Sequence, residues 1–262
     1  MERVEAAGTG RRRIRLAVAV LIAAAAATVA LSSSSAPASD GSVSRLEPLP
    51  TGCVAKGSRL RDHGPRKKRA VALTFDGGPT SYYTPRVLRK LRRAGVPATF
   101  FIRGQFIHGN RDLLRKEIRA GHELANHSYS HPHFPSSAEL KKTNRLIRGA
   151  TGFKPCLFRP PYGSVDSALV RRSWREGMLT ITWDVDSWDS LYEHVSASTV
   201  YRRVVGNVRP GSIILMHDGE GSHQGTLKAL DPILRYLRKK HYRLVTVSQL
   251  LGLRMTSPPQ SG

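Results

Sequence analysis

Five apolar runs in this 262-residue sequence stop on ionisable side chains. Ala70–Phe75 ends at Asp76, and Gly77-Gly78-Pro79 follows at once. His127 and His131 stand four apart in "ELANHSYSHPH", and Arg159 sits in "FRPPYG". Asp184, Asp186 and Asp189 share the segment "TWDVDSWDS", and His217-Asp218 close "IILMHDG". A charge where a buried run emerges must be solvated, paired or bound to a metal. Together the set has the parts of a hydrolytic centre. A carboxylate and an imidazole can act as base and acid. Two imidazoles one helical turn apart suit a divalent cation. An arginine held against Asp76 would lower its pKa and keep it ionised. Each fragment alone has a plainer reading. Asp-Gly-Gly-Pro is also the composition of a tight turn. A histidine pair in a His-rich loop is also ordinary surface, Arg159 alone is a solvated or salt-bridged side chain, and His217 alone is a capping histidine. The conjunction carries the inference.

Those residues need a frame. From Ala70 onward, strand-like runs alternate with amphipathic helical runs. Strands are predicted over Ala70–Phe75, Ala98–Ile102, His122–Ala125, Leu157–Arg159, Leu179–Val185, Ser212–Met216 and Tyr242–Val247. Helices are predicted over Thr84–Ala94, with Thr84 as N-cap, and over Arg111–Ala120, Ser137–Gly149, Asp166–Glu176, Ala197–Val208 and Gly225–Lys239, with a last turn from Ser248 to Leu251. The pattern "SSAE" opens the third helix with a capping signal. Such alternation means α/β architecture with a parallel sheet. About seven units predict a distorted TIM-like (β/α) barrel with one catalytic domain, whose functional groups gather at the carboxyl ends of the strands. Every candidate residue above lies at such an end.

In this order, TFDxGP, HSxxH, RPPY, a DxxD segment and LxH resemble the polysaccharide deacetylases of carbohydrate esterase family 4, which share the chitooligosaccharide deacetylase homology domain. The resemblance runs from about Ala70 to Leu251. It implies metal-dependent removal of N-acetyl groups from a GlcNAc-containing polysaccharide, peptidoglycan first and chitin oligomers next, with acetylxylan ester hydrolysis as a third substrate class. It implies Asp76 as general base, His127 and His131 as metal ligands, and Ser128 as a residue shaping their loop. Arg159 matches the arginine that orients the base, with Asp189 as its acidic partner. Tyr162 matches a backbone oxyanion donor, Leu215 a wall of the acetyl-methyl pocket, and His217 the general acid. The implied cofactor is a divalent metal, zinc first, then cobalt, manganese or nickel. An acetamide is a poor electrophile, and a metal that polarises it and makes hydroxide available near neutral pH meets that need. Two positions depart from the family. Gly77 stands where a second acid usually supplies the third protein ligand, so a weakened metal site is expected. Ser190 stands where a pocket tryptophan is usual. A non-catalytic glycan-binding domain on the same fold is the alternative that Gly77 keeps open. A two-carboxylate glycosidase would leave His127, His131 and His217 without a use.

Forty-two Lys and Arg against nineteen Asp and Glu give a formal charge of +23. Such a chain is attracted to anionic surfaces, either a cell-wall polymer or lipid headgroups. Arg11, Arg12, Arg13 and Arg15 precede an apolar run from Leu16 to Leu31, broken only by Thr28, and a Ser/Ala/Pro stretch follows. This is the layout of an export signal, with an uncleaved N-terminal anchor as the alternative. The expected division is 1–31 signal or anchor, 32–69 linker and pre-barrel segment, 70–251 deacetylase-like domain and 252–262 disordered tail. The expected location is extracytoplasmic, and the expected state a monomer. Export and the lack of a recognition motif disfavour nucleic acid as a partner. The two cysteines, Cys53 and Cys156, sit in no CxxC pair, and in an oxidising compartment they are expected to form one disulfide.

Overall fold

The computed structural model describes residues 49–190, 194–219 and 221–257. The expected signal or anchor segment and residues 258–262 lie outside the described residues. Two short strands come first, β1 (Gly52–Cys53) and β2 (Leu60–Arg61), within the segment expected to be a linker. The alternation then runs β3 (Ala70–Asp76), α1 (Tyr83–Ala94), β4 (Thr99–Ile102), α2 (Arg111–Arg119), β5 (Glu123–Asn126), α3 (Ser137–Thr151), β6 (Leu157–Phe158) and α4 (Ser167–Arg175). It continues with β7 (Leu179–Ile181), β8 (Val185–Asp186), α5 (Ala197–Asn207), β9 (Ile213–His217), α6 (Gln224–Lys239), β10 (Arg243–Val245), α7 (Val247–Leu251) and β11 (Met255–Thr256). Among the described residues no helix is long and apolar enough to cross a membrane.

Nine strands form one sheet in the order β2-β7-β6-β5-β4-β3-β9-β8, with β10 also pairing β3. All its strand pairs are parallel. Nine replaces the expected seven for two reasons. β2 adds itself to the flank of β7. The run 179–185, read as one strand, is interrupted at 182–184. Its first half pairs β6, its second half pairs β9, and one continuous segment thereby contributes strands on opposite sides of β3.

β3 is buried along its whole length, as expected for a parallel strand covered on both faces. The helices pack apolar stripes against the sheet and turn their cationic faces outward. In α1, Val87 and Leu91 are buried while Arg92 and Arg93 are exposed. Thr84 is not the N-cap of α1. Its hydroxyl accepts from Thr80 N at 2.9 Å and donates to Asp218 Oδ2 at 2.6 Å, so it locks the loop after β3 to the loop after β9. Ser136 does cap α3, accepting from Glu139 N. Residues 252–256, expected to belong to a disordered tail, instead end in β11, which pairs antiparallel with β1. Cys53 and Cys156 form a disulfide across 103 residues with Cα atoms 5.3 Å apart, fastening β1 to the residue before β6.

Candidate active site

Sheet register brings the first two groups together. In the β3–β9 pair, Asp76 faces His217 directly. Residues level with each other on neighbouring parallel strands point to the same side, so the carboxylate and the imidazole emerge together at the carboxyl end of the barrel. They line one cavity of about 500 Å³ with His127, His131, Tyr162 and Leu215.

Asp76 is 2% exposed, and Arg159 is fully buried beside it. Arg159 Nη1 donates to Asp76 Oδ1 at 2.7 Å and to Thr74 Oγ1 at 2.7 Å. Its Nε and Nη2 donate to the carbonyls of Ile181 and Thr182, and the guanidinium lies 4.0 Å over the Phe101 ring. Five donors in a rigid fork allow this many fixed contacts. Arg159 does not hold Asp76 below the ordinary carboxylate range, as the sequence led us to expect. Burial pushes the Asp76 carboxyl up, and the opposing pull of Arg159 and then His217 only partly offsets it. Removal from water is the larger effect here.

Arg159 also reaches the histidine pair. Its backbone carbonyl accepts from His127 Nδ1 at 2.8 Å. A carbonyl can only accept, so Nδ1 carries the proton and the Nε2 lone pair of His127 is free to ligate. His131 Nε2 lies 3.1 Å from His127 Nε2. The pair converges through a loop and not through the helical turn expected from their spacing. Ser128 and His131 both adopt left-handed backbone, with φ 63° and 71°. Ser128 N donates to Asn126 Oδ1, and Ser128 Oγ accepts from His131 N. Glu139 at the start of α3 accepts from the N–H groups of Tyr129 and Ser130 and from the Ser130 hydroxyl. Burial drives both imidazoles to about 3, with neighbouring positive charge adding to it. Both are therefore neutral at neutral pH, the form that ligates a metal.

Asp189 is not the partner of Arg159. Its Oδ1 accepts from His217 Nδ1 at 2.7 Å, its Oδ2 from His217 N at 2.8 Å, and Oδ2 also accepts from the Thr226 hydroxyl at 2.5 Å. The acidic partner belongs to the imidazole because β8 lies beside β9 in the sheet, so the residues that follow it reach His217 at the end of β9. Burial disfavours the His217 imidazolium, but Asp189, with Asp76 and Asp186 behind it, lifts its pKa to about 9. Asp189 is brought down to about 2; burial opposes this, and the His217 charge overcomes it. At neutral pH His217 is a protonated acid, with Nδ1 committed to Asp189 and Nε2 available to the cavity.

The three acids of "TWDVDSWDS" thus have different tasks. Asp184 accepts from Arg66, Ser212 and the Ile213 N–H, and fastens the strand ends. Asp186 lines the cavity and accepts from Trp188 N. Asp189 serves His217. Arg103, Trp183 and His223 also line the cavity and were not singled out in the sequence. His223 stacks on His217 with centroids 5.6 Å apart. Trp183 lies within the quoted segment "TWDVDSWDS", where the acids drew the attention, whereas Arg103 and His223 come from loops with no motif of their own. Ser190 stands at the cavity wall where a tryptophan was expected.

The donor set at His127 and His131 fits a divalent ion in part. Two nitrogen donors on one tetrahedral zinc stand about 3.3 Å apart, close to the 3.1 Å between these atoms. Among the described residues no third His, Cys, Asp or Glu completes a ligand group. Asp76 Oδ2 lies 3.9 Å from His127 Nε2. Gly77 offers no donor, and its φ of +86° is a conformation that side chains rarely adopt.

The polysaccharide deacetylase family model matches residues 63–181. A peptidoglycan-N-acetylglucosamine deacetylase of Bacillus cereus is 36% identical over 194 residues, covering 71% of this chain and 70% of its own. The crystal structure of a peptidoglycan N-acetylglucosamine deacetylase superposes with a TM-score of 0.72 at 33% identity, over 76% of this chain and 95% of that one. A carbohydrate esterase family 4 pseudoenzyme from Bacillus anthracis superposes with a TM-score of 0.68 at 33% identity, over 74% of this chain and 69% of its own.

Proposed function

We propose that this chain, which belongs to the polysaccharide deacetylase family, hydrolyses N-acetyl groups of a GlcNAc-containing polysaccharide. Peptidoglycan is the leading substrate and chitin oligomers the next. The observation that carries this reading is the register pairing of Asp76 with His217 at the mouth of one cavity, with the paired imidazoles beside them. The relatives' substrates and the basic, export-like sequence support work outside the cytoplasm beside an anionic wall.

His127 and His131 would hold a divalent cation, zinc for preference. When bound, it would polarise the acetyl carbonyl and acidify a water. Asp76 takes the proton of the attacking water. Arg159 and the buried setting fix its Oδ1 and leave Oδ2 facing the imidazoles. Tyr162, which lines the cavity, would supply through its backbone N–H the oxyanion donor that the family resemblance assigns to it, a contact of the kind that contributes several kcal/mol. Leu215, 4% exposed, walls the methyl group. The His217 imidazolium then gives its Nε2 proton to the leaving amine, and the charge it loses is the one Asp189 stabilises.

The observation that favours a glycan-binding protein without catalysis is Gly77, which leaves the cation two imidazoles. Acetate release from peptidoglycan, chitin oligomers and acetylxylan, measured with zinc content on one purified sample, decides between the readings. Zinc bound near one equivalent with acetate released supports the deacetylase. Glycan binding without acetate release at any metal loading overturns it.

A further inference from the structure

We propose that the groove between α1 and α2 binds a linear polymer of polyol units joined by phosphodiesters, with one negative charge per unit. The groove shares no lining residue with the catalytic cavity, so it goes beyond the deacetylase reading. Only the choice of a wall-type polymer rests on the extracytoplasmic part of that reading.

Two depressions of about 560 and 610 Å³ adjoin along these helices and share Pro85, Leu113 and Lys116. Pro85, Leu88 and Leu113 are half-buried and form an apolar floor. Arg89 and Arg92 of α1 line one wall, Lys116 and Arg119 of α2 the other, and all four are exposed. The two helices carry nine Lys and Arg against two acids, Asp112 and Glu117. Asp112 is committed to Arg115 at 2.8 Å. Glu117 is fully buried, and burial, with Asp218 adding to it, pushes its carboxyl well up toward the neutral form. Lys90 is held by Asp231, and Arg86 by the carbonyl and ring of Tyr82. The four wall cations make no side-chain hydrogen bond or ion pair among the described residues. Arg89 and Arg92 are three residues apart on one helix, as are Lys116 and Arg119 on the other, and like charges at that spacing repel. An anion lying between the walls relieves both pairs at once.

The occupant follows from charge and shape. Guanidinium forks take phosphate oxygens in pairs, and the apolar floor meets the carbon skeleton between phosphates. From Pro85 to Arg92 the helix rises about 10 Å, the reach of a short run of polymer units and not of a single ion. A lipid surface is a plane and is met by protruding cations, whereas these stand around a depression. Single-stranded nucleic acid stacks its bases on aromatic side chains, and the lining holds no Phe, Tyr or Trp. Both helices start at the carboxyl end of the parallel strands, α1 after β3 and α2 after β4. A polymer in the groove therefore passes beside the catalytic end of the barrel without entering it, and holds the enzyme while the cavity stays open to its own substrate.

The test uses the full protein with poly(glycerol phosphate), phosphatidylglycerol vesicles and single-stranded DNA as probes, each titrated at several salt concentrations. Wild type is compared with the groove pair Arg92→Glu/Arg119→Glu and with Arg171→Glu/Arg175→Glu on α4, an equal change of net charge at exposed positions elsewhere. Arg92→Gln/Arg119→Gln removes the groove charges without reversing them, and serves if the reversed pair does not fold. The groove pairs are expected to weaken poly(glycerol phosphate) binding at least about tenfold, the scale of about 1.4 kcal/mol, with a shallower dependence on salt. The α4 pair is expected to stay within about twofold of wild type. Equal loss in the groove and α4 pairs means that net charge alone acts and overturns the groove, as does a wild type that does not bind the polymer. Vesicles or DNA bound more tightly than the polymer, with the loss confined to the groove pairs, overturn the choice of occupant. Acetate release from uncharged N-acetylglucosamine oligomers is followed in parallel and is expected to be the same in wild type and the groove pairs. If no acetate is released by any of them while polymer binding depends on the groove, the catalytic reading fails and the groove stands.

Discussion

Replacing Asp189 by Asn removes the charge that makes His217 an acid. His217 titrates at about 9, against about 6.5 for an ordinary histidine, so the folded site favours the imidazolium by about 3 kcal/mol. Burial acts in the opposite direction, so the neighbouring carboxylates supply all of this preference, Asp189 first. The carboxylate also accepts three hydrogen bonds, from His217 N, His217 Nδ1 and Thr226 Oγ1. A carboxamide has one oxygen and cannot serve all three donors. In the variant only Asp76 and Asp186 still counter burial, and the imidazole should titrate near or below its ordinary value. At pH 8 the protonated fraction then falls at least about thirtyfold. The assay is acetate release against pH, with the basic limb of kcat/KM read for both proteins and His217 titrated by NMR. The limb should move from near 9 to below about 7. If it stays near 9 in the variant, Asp189 does not set the acid, and the assignment of His217 fails with it. Stability carries the same signature. His217 is raised, so its contribution is complete below about 6.5 and is lost as pH rises through about 9. Asp189 is lowered, so its contribution is present above its ordinary range and lost as pH falls through about 2. Wild type should therefore lose more stability between pH 7 and 10 than the Asn variant.

Three further outcomes are expected. Arg159→Ala leaves Asp76 buried without its counter-charge and should cost about 3–5 kcal/mol in urea unfolding. Arg159→Lys should move the acidic limb of the rate profile upward, since one ammonium cannot replace the fork; an unmoved limb would separate Arg159 from the base. Gly77→Asp has room, because a Cβ there would meet Gly219 Cα at 3.4 Å, but its φ is +86°. The cost should be about 1–2 kcal/mol of stability, with metal binding at least about tenfold tighter; unchanged affinity in a zinc titration would place the ion elsewhere. Replacing both Cys53 and Cys156 by Ala opens a loop of 103 residues and should cost about 4–5 kcal/mol, read as a lower denaturant midpoint with a steeper slope, because the freed unfolded chain exposes more surface.

Much of the frame was legible in the chain. Strand alternation, the polar strand ends and the cysteine pair depend on local composition and period, which a sequence displays directly. Asp76, His127, Arg159 and His217 stand out because each follows an apolar run, and His131 because it stands four residues from His127. What the sequence could not supply was partnership. Asp189 lies closer in sequence to Arg159 than Asp76 does, yet it serves His217, because pairing of β8 with β9 brings the segment after β8 alongside the end of β9. The spacing of His127 and His131 suggested a helix, but left-handed Ser128 and His131, braced by Glu139, bring their nitrogens together. The net effect of Arg159 on Asp76 depended on a desolvation that exists only once both are buried. Residue types and spacing determine which groups are present. Charge balance, proton position and ligand count depend on distances across the barrel, and only the folded chain sets those.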